Sequence, residues 1–250
     1  MAKIDVSLLS DRVYHALRED IFAQTLRPAT RLDVHHLASI YGTSAAPVRQ
    51  ALARLHDEGM VEILPRRGTF VTSMRPGDVA EVFQVRRIIE LGVADLTAGR
   101  LPSDVVERLG RVVALTEALA IGESFRDYAS YIQYDAEFHR IPILAIGNGR
   151  LLRIFDSLHA HICIARGLYP ASNQRATQTL AEHRAIFDAY RAGDATAVKA
   201  AILVHLCNGE ADLARRLTDE ITSGTWRHDG IEPTSRVAND GFGADFQIEE

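Results

Sequence analysis

The second half of the chain contains four polar residues at positions where amphipathic helices should be apolar. In the helical pattern over 124–145, Asp135 and His139 lie one turn apart on the inward face, and His183 and His205 interrupt two later patterns. Burying a charge costs free energy unless the charge is paired or binds a metal. We therefore predict that these residues share a polar cavity inside a helical bundle. Three imidazoles and a carboxylate suit Zn²⁺, Ni²⁺ or another borderline divalent ion.

Two further polar residues fall on inward faces and are candidates for binding a small anionic ligand beside this metal. Arg86 interrupts the apolar stripe of the pattern over 78–99, and Asn208 continues the stripe of His205. An arginine can hold a ligand carboxylate through two parallel hydrogen bonds. Arg86 can also form a simple ion pair with Glu90, one helical turn later.

Each candidate also has a structural interpretation. A single inward histidine is more often a hydrogen-bonded core residue than a ligand, and an Asp–His pair one turn apart is often a structural ion pair. His159 and His161 are interpreted as surface or packing residues, although His161 could line the cavity. The coincidence of four inward polar residues favours the metal site.

Length, charge and cysteine content limit the class of protein. A chain of 250 residues that is 47% hydrophobic can fold as about two domains, and it shows neither a signal-like N-terminus nor an apolar run that could span a membrane. Its isolated cysteines, Cys163 and Cys207, fit a reducing compartment, so we expect a cytoplasmic protein without a membrane partner. The net charge of −5 divides into +2 over 1–75 (10 basic and 8 acidic residues), −1 over 76–218 (16 and 17) and −6 over 219–250 (2 and 8).

The first 74 residues have the pattern of a winged helix-turn-helix. The periodicity predicts a first helix over Leu8–Ala23 and a pair of helices over Val34–Ile40 and Ala45–Glu58. A hairpin follows, with strands over Val61–Leu64 and Thr69–Val71. Gly42 makes the turn between the paired helices, and Ser44 can cap the second of them.

Candidate DNA contacts lie on the outer face of the helix over Ala45–Glu58. Its apolar stripe turns Arg49 and Gln50 outward, where arginine can contact guanine or phosphate and glutamine can reach an adenine edge. Arg66 and Arg67 at the hairpin tip suit an adjacent minor groove or phosphates. Helix-turn-helix pairs also occur as packing units or dimer interfaces, so periodicity alone leaves binding of double-stranded DNA open.

The remaining chain divides into a linker, a helical domain and a tail. Pro76 and Gly77 predict a linker over 75–77. Helical periodicity then dominates in six pieces, over 78–99, 103–121, 124–145, 148–168, 173–191 and 194–217. Residues 219–250 lack a period, which predicts a flexible acidic tail. The predicted fold class is mainly α, with a winged helix-turn-helix over 1–74 and an all-α helical bundle over 78–218.

The helix-turn-helix segment contains the run LASIYGTSAAPVRQALARLHDEGMVEILPRRGTFV. It resembles the winged helix-turn-helix of the GntR family, whose pattern is roughly L-A-x-x-x-G-V-S-R-x-P-V-R-E-A-L-x-R-L-x-x-E-G-L-V and ends in R-G-x-x-V. The resemblance implies that Arg49 contacts DNA, with Ser44 at the helix start and Gly68 in the wing. Ala45 and Ala46 stand where the family usually has Arg and Thr, which implies an altered operator preference.

Residues 78–217 contain the runs VFQVRRIIE, YDAEFHRIPILAIGNGRL and AEHRAIFDAYRAGDATAVKAAILVHL. They resemble the FCD effector domain of the FadR subfamily within GntR, in its six-helix, VanR-like branch. Arg86 matches the arginine that faces the effector carboxylate in this family. In its metal-binding members, the matching positions are the metal ligands, here Asp135, His139, His183 and His205.

These observations predict a homodimeric transcriptional regulator, expected to be a repressor, that binds double-stranded operator DNA and a small carboxylate effector. Two other functions stay open at this point. Histidines and a carboxylate can activate water or oxygen in a metal-dependent enzyme, and the bundle could belong to a constitutive DNA-binding protein without an effector. No additional general base, nucleophile or glycine-rich phosphate loop stands out in the sequence, which favours the regulator over the enzyme.

Overall fold

The computed structural model describes residues 6–23, 25–74, 76–121, 124–168 and 173–223. Within these ranges the chain folds as a winged helix-turn-helix, here called the head (6–74), and a six-helix unit, here called the bundle (76–223). This confirms the predicted mainly α fold class. No described helix is both long enough and apolar enough to cross a membrane.

The head combines three helices with a small antiparallel sheet. Its elements are α1 (Val6–Phe22), β1 (Arg31–Leu32), α2 (Val34–Ile40), α3 (Ala45–Asp57), β2 (Val61–Leu64) and β3 (Gly68–Val71). The strand order is β1-β3-β2, and Thr69 of β3 pairs with both Leu32 and Ile63. The sequence predicts no strand at β1, because two residues are too few to show a period.

Helix α3 forms a stable layer on α1 because its apolar residues recur on one side. The buried apolar residues of α3 are Val48, Ala51, Leu52 and Leu55. They pack in the same core as Leu17 and Ile21 of α1, which are fully buried. Each such aliphatic side chain contributes about 1.5–3 kcal/mol when it leaves water. The opposite face of α3 therefore stays in solvent.

The bundle contains the six helices that the periodicity predicts. They are α4 (Pro76–Thr97), α5 (Ser103–Ala118), α6 (Tyr128–Ala145), α7 (Gly149–Leu168), α8 (Asn173–Ala192) and α9 (Ala195–Ser223). Helices α4 and α9 pack side by side in opposite directions, and the ion pairs Arg87–Glu210 and Asp95–Lys199 join them. Aromatic and aliphatic side chains from several helices fill one continuous core, which includes Phe83, Phe138, Ile186 and Leu206.

The start and the end of the bundle differ from the prediction. Pro76 and Gly77, expected in a linker over 75–77, form the first turn of α4. Proline suits that position because the N–H it lacks has no partner within a helix. At the other end α9 continues to Ser223, into the segment expected as a flexible tail over 219–250. The rest of that predicted tail lies outside the described residues.

A short hairpin separates α5 from α6. It consists of β4 (Ala120–Ile121) and β5 (Ser124–Phe125), where the sequence predicts helices over 103–121 and 124–145. Helix α6 starts only at Tyr128, because Asp127 caps it by accepting a hydrogen bond from the Ser130 N–H at 3.0 Å. The inward positions of α6 are unaffected.

The head rests on helix α7 of the bundle. Ala160 of α7 belongs to the buried core of the head. Gly59, just after α3, comes so close to α7 that a Cβ there would lie 2.7 Å from Ser157 Oγ and 2.9 Å from His161 Cε1. Its φ of +75° is also in the left-handed region that favours glycine. Both the contact and the backbone thus require glycine at this position.

Replacing Gly59 with alanine should destabilise the protein more than the same change at Gly42. Gly42 has a similar φ of +61° but no atom within 4 Å of an added Cβ, so it isolates the backbone cost of about 1–2 kcal/mol. Gly59→Ala adds a steric conflict with α7 to that cost. Urea unfolding of both variants measures the difference, and equal losses of unfolding free energy would contradict the close packing of head on bundle.

Candidate metal centre and DNA-binding face

Three helices of the bundle bring the four predicted ligands together. Helix α6 carries Asp135 and His139, α8 carries His183, and α9 carries His205. All four are at most 4% exposed, and one donor atom from each lies within 4.8 Å of the others. We call these four residues the His/Asp cluster.

Carboxylates behind two of the histidines fix the position of the ring proton. His139 Nδ1 lies 2.9 Å from Glu90 Oε2, and His205 Nδ1 lies 2.8 Å from Glu182 Oε2, so each Nδ1–H donates to a carboxylate. Both Nε2 atoms are then acceptors, yet they face each other at 3.0 Å. Two lone pairs at this distance repel unless a proton or a metal cation lies beside them. Imidazoles held in this way by outer carboxylates are typical of metal ligands.

Protonation of His205 is a poor solution to this contact at neutral pH. Burial lowers the pKa of His183, and it holds the pKa of His205 well below its ordinary value. Neutral imidazole is the form that binds a metal. Elsewhere in the cluster, Asp135 Oδ1 and His183 Nε2 lie 3.3 Å apart, and neither has a hydrogen-bond partner among the described residues. These donor atoms therefore fit a divalent cation.

Asp135 is held in its charged form by an arginine. Arg166 Nη1 donates a hydrogen bond to Asp135 Oδ2 at 2.8 Å and leaves Oδ1 directed toward His183. Burial alone would raise the pKa of Asp135. The charge of Arg166 and the contact with His183 outweigh this effect and place the pKa well below its usual range. A carboxylate in this state can supply an oxygen ligand.

The outer carboxylate Glu182 is anchored on its other side. Arg175 donates two hydrogen bonds to it, at 2.9 and 3.0 Å, and Asn208 Nδ2 donates a third at 2.7 Å. Burial raises the pKa of Glu182, but the bonds from His205 and Arg175 outweigh it and lower the pKa to about 2. The sequence predicts that Asn208 contacts the effector. In the structure its amide instead binds Glu182, which lies between Asn208 and His205 of the cluster.

Arg86 is the largest fully buried side chain among the described residues. Its Nε donates to Glu90 at 2.7 Å, which is the ion pair that the sequence offered as an alternative. The rings of Phe83 and Phe155 lie 5.5 and 5.9 Å from its guanidinium carbon. Both terminal nitrogens, Nη1 and Nη2, have no hydrogen-bond partner within the described part of the chain. Such N–H groups are costly to bury and are suited to an anion.

Sequence reasoning missed several residues that contact the cluster, among them His159 and Arg166. His159 is 5% exposed, its Nε2 lies 3.8 Å from Asp135 Oδ2, and neither ring nitrogen forms a hydrogen bond in the described ranges. His161, the alternative named from sequence, instead bonds to a backbone carbonyl of its own helix at 2.7 Å. The signal was present, because His159 and Arg166 follow Phe155 on the inward face of α7 and interrupt its apolar stripe.

The predicted DNA contacts on α3 are presented to solvent. Ser44 occupies the N-cap position, although its side chain forms no capping hydrogen bond. Arg49 and Gln50 are exposed, as is Ala46 on the same outer face. The side chains of this face are therefore positioned to enter a major groove. Their contact with DNA stays a prediction.

The wing presents a second basic surface. Arg66 at its tip is exposed and has a φ of +64°, and Gly68 has a φ of +118°. Arg67 is half-buried. Arg31, which the sequence interpretation did not single out, lies beside the tip, with its Nε 3.2 Å from the position of a Cβ on Gly68. The structure thus brings three arginines together at the wing.

Known protein families match both parts of the chain. Residues 9–71 match the gntR family of bacterial regulatory proteins, and residues 81–208 match the FCD domain. The chain belongs to the GntR family. It is a DNA-binding transcriptional regulator with an FCD domain, and its domains and relatives are those of regulators rather than enzymes.

Relatives cover most of this GntR regulator. It is 30% identical to an HTH-type transcriptional regulator in an unstable DNA locus of Streptomyces ambofaciens. The aligned region of 194 residues covers 78% of this chain and 80% of the relative. It is 25% identical over 199 residues to the HTH-type transcriptional repressor RspR of Escherichia coli (strain K12), with coverage of 79% and 86%. A GntR transcriptional regulator from Rhodococcus sp. RHA1 shares the fold, with a TM-score of 0.70 at 21% identity over 87% of this chain and 99% of that one.

Metal binding should stabilise the wild-type protein and depend on the His/Asp cluster. Protein stripped with a chelator and then given Zn²⁺ at about 100 times its dissociation constant should gain about 2.7 kcal/mol, because the metal binds only the folded state. The thermal unfolding midpoint measures this gain. His205→Gln should lose it, whereas His161→Gln should keep it because His161 lies outside the cluster.

The outer carboxylate supplies a milder variant in the same experiment. Glu182→Gln keeps the shape of the side chain but weakens its hold on His205, and zinc affinity should fall by about 10-fold to 100-fold. Competition with a zinc-sensitive dye measures the affinity. An unchanged affinity in both His205→Gln and Glu182→Gln would exclude this cluster as the zinc site.

Proposed function

We propose that this protein is a cytoplasmic, homodimeric repressor whose affinity for operator DNA changes when a small organic acid binds at a divalent metal in the FCD domain. The observation that carries the proposal is Arg86, fully buried next to the His/Asp cluster with two terminal nitrogens that have no partner among the described residues. Similarity to the repressor RspR supports the repressor role.

The charges around the His/Asp cluster favour an anionic ligand once a metal is bound. Three carboxylates at the cluster each pair with one arginine, so the described site is neutral as it stands. The pairs are Arg86–Glu90, Arg166–Asp135 and Arg175–Glu182. A divalent cation adds two positive charges to a site of low dielectric, where uncompensated charge is costly. A bound carboxylate offsets part of that charge.

Arg86 can receive this carboxylate because Glu90 joins it to the cluster. One oxygen of Glu90 accepts from Arg86 Nε, and the other lies 2.9 Å from His139 Nδ1. Arg86 and the metal ligand His139 are therefore one carboxylate apart. A small acid can place one oxygen on the arginine and another in an open coordination position of the metal. Arg86 and the metal together then select the acid by its charge and by its length.

Binding of such an acid requires the bundle to rearrange. The cavity beside Glu90 and His139 has a volume of about 10 Å³, which is room for about one water molecule. Helix α7 borders the site through Phe155 and His159, and it touches the head through Ala160. A shift of α7 that admits the acid also moves the surface on which the head rests. Coupling of this kind typically changes the free energy of DNA binding by about 1–3 kcal/mol when the acid is bound.

Exposed apolar stripes on α4 and α9 supply the proposed dimer surface. Val85, Ile88 and Leu96 recur on one side of α4 and are between 37% and 69% exposed. Leu203 and Val204 on the neighbouring helix α9 are 42% and 55% exposed. A contiguous apolar surface of this kind is typical of an interface. A two-fold dimer also suits an operator with two half-sites.

Arg49→Ala should weaken operator binding because it removes a bidentate base or phosphate contact. The expected loss is about 1–3 kcal/mol, together with a smaller salt dependence if the contact is to phosphate. Fluorescence anisotropy on a fragment obtained by binding-site selection measures it. Arg111→Ala is the control, since Arg111 is an equally charged, 65% exposed residue of α5. Equal effects of the two changes would contradict the assignment of Arg49.

Arg86→Met should abolish the response to an organic acid. Wild-type, zinc-loaded protein is expected to change its operator affinity about fivefold or more with at least one member of a panel of acetate, lactate, malonate and succinate. Arg86→Met should keep zinc uptake and operator binding but lose this change, and Arg184→Met, a surface arginine paired with Glu117, should retain it. A response that survives in Arg86→Met, or a wild type indifferent to the whole panel, would refute the proposed effector class.

Charges placed in the apolar stripes should dissociate the dimer. Ile88→Glu and Leu203→Glu put a carboxylate into the proposed interface, where its desolvation is costly. Leu115→Glu is the control, because Leu115 is 48% exposed on α5, outside both stripes. Light scattering coupled to size-exclusion chromatography should show monomers for the first two variants and a dimer for the control. A wild type that is itself a monomer would contradict the proposal.

A further inference from the structure

A cavity of about 700 Å³ lies between the head and the bundle. Helices α1 and α3 line one side, and α6 and α7 line the other. Cavities of about 300–1,000 Å³ at domain boundaries are typical of small-molecule sites. None of the four residues of the His/Asp cluster lines this space, which we call the interdomain cavity.

The inner wall of the interdomain cavity is apolar and partly aromatic. It contains Phe22 of α1, Ile132 of α6, and Phe155 and Cys163 of α7. Phe155 is fully buried, and Ile132 and Cys163 are at most 7% exposed. Burial raises the pKa of Cys163 to about 12, so the thiol is neutral at physiological pH. This wall therefore suits an apolar ring and carries no negative charge.

Several of the charged side chains around the interdomain cavity already have partners. Arg140 donates to both oxygens of Asp156, at 2.9 and 3.2 Å. Arg54 lies 3.3 Å from Glu58 and stacks over the ring of Tyr14 at 3.6 Å. These residues frame the space and do not present an uncompensated charge to it.

Arg18 is different, because it has no carboxylate partner among the described residues and is only half-buried. Its guanidinium carbon lies 4.8 Å over the ring of Phe22, and its charge acts on Cys163 across the cavity. Two other lining residues without an ion pair in the described ranges, Arg153 and Asp57, are exposed and opposite in sign. Among the described lining residues, Arg18 is thus a half-buried cation without a carboxylate partner, and a ligand inside the cavity can contact it.

His159 closes the inner end of the interdomain cavity. It is one of the lining residues, it is 95% buried, and both of its ring nitrogens lack a hydrogen-bond partner in the described part of the chain. A buried imidazole without partners is costly in an apolar wall unless a bound molecule supplies them. His159 therefore offers a polar contact in addition to Arg18.

We propose that the interdomain cavity binds an aromatic organic anion. The anionic group pairs with Arg18, the ring packs on Phe22 and Phe155, and a polar substituent reaches His159. This is a second ligand site, which goes beyond the small acid proposed at the metal. Its outer wall includes Arg54 and Glu58 at the end of α3, so a bound molecule contacts the DNA-binding helix directly.

The fluorescent aromatic anion 8-anilinonaphthalene-1-sulfonate is the probe for this proposal. Titrated into full-length, zinc-loaded protein, it should bind saturably with an increase in fluorescence. Arg18→Met should weaken binding by about tenfold or more, because it removes a charge-assisted hydrogen bond but keeps an apolar side chain of similar length. Arg12→Met is the matched control, since Arg12 is an exposed arginine of α1 that does not line the cavity.

A second variant blocks the interdomain cavity without touching its charge. Ala129 lines the cavity but is exposed, so Ala129→Trp should fill the space while circular dichroism and zinc content stay unchanged. Loss of probe binding in this variant and in Arg18→Met supports the site. Binding that is unchanged in both variants, or that falls equally in Arg12→Met, overturns the proposal. So does binding that disappears when a chelator removes the zinc, because the probe would then occupy the metal site.

Discussion

The close approach of two buried imidazoles is the constraint on which the rest of the bundle depends. Glu90 and Glu182 accept hydrogen bonds from the Nδ1–H groups of His139 and His205, and this leaves the two Nε2 lone pairs facing each other at 3.0 Å. Burial opposes protonation of His205, and the donor atoms of the cluster fit a divalent cation. Arg166 holds the carboxylate of Asp135, and Arg175 and Asn208 hold Glu182 behind His205, so both carboxylates stay oriented.

Helix α7 contacts both the His/Asp cluster and the DNA-binding head. Helix α7 contributes His159 and Arg166 to the cluster side and Ala160 to the core of the head. Because Gly59 permits a close approach to Ser157 and His161, the head packs closely on the helix that borders the His/Asp cluster. Helix α7 is therefore an element that contacts both the His/Asp cluster and the head.

The sequence predicts the helices and the four members of the His/Asp cluster because both leave strong periodic signals. Asp135, His139, His183 and His205 interrupt helical stripes, and this pattern depends only on local geometry. The contacts between the histidines and the carboxylates behind them leave no such periodic signal. Glu182 lies next to His183 in sequence but acts on His205, a pairing that only the packing of α8 against α9 creates. Strand β1 and the β4–β5 hairpin are likewise too short to produce a period.

The interdomain cavity lay beyond sequence reasoning for a related reason. Its walls come from four helices of two domains, and no single helix shows that a space exists between them. That Arg18 has no carboxylate partner within the described ranges also depends on which carboxylates the fold brings near it. Properties set by long-range packing must be read from the structure, whereas those set by the helical repeat can be read from the chain.

The most direct test of the metal centre is anomalous diffraction from zinc-loaded crystals of the full-length protein, measured on both sides of the zinc absorption edge. We expect one anomalous peak per chain, about 2.0–2.1 Å from a ring nitrogen of each of His139, His183 and His205 and about 2.0–2.2 Å from an oxygen of Asp135. Zinc bound elsewhere, or His139 and His205 still in direct contact with no metal between them, would contradict it.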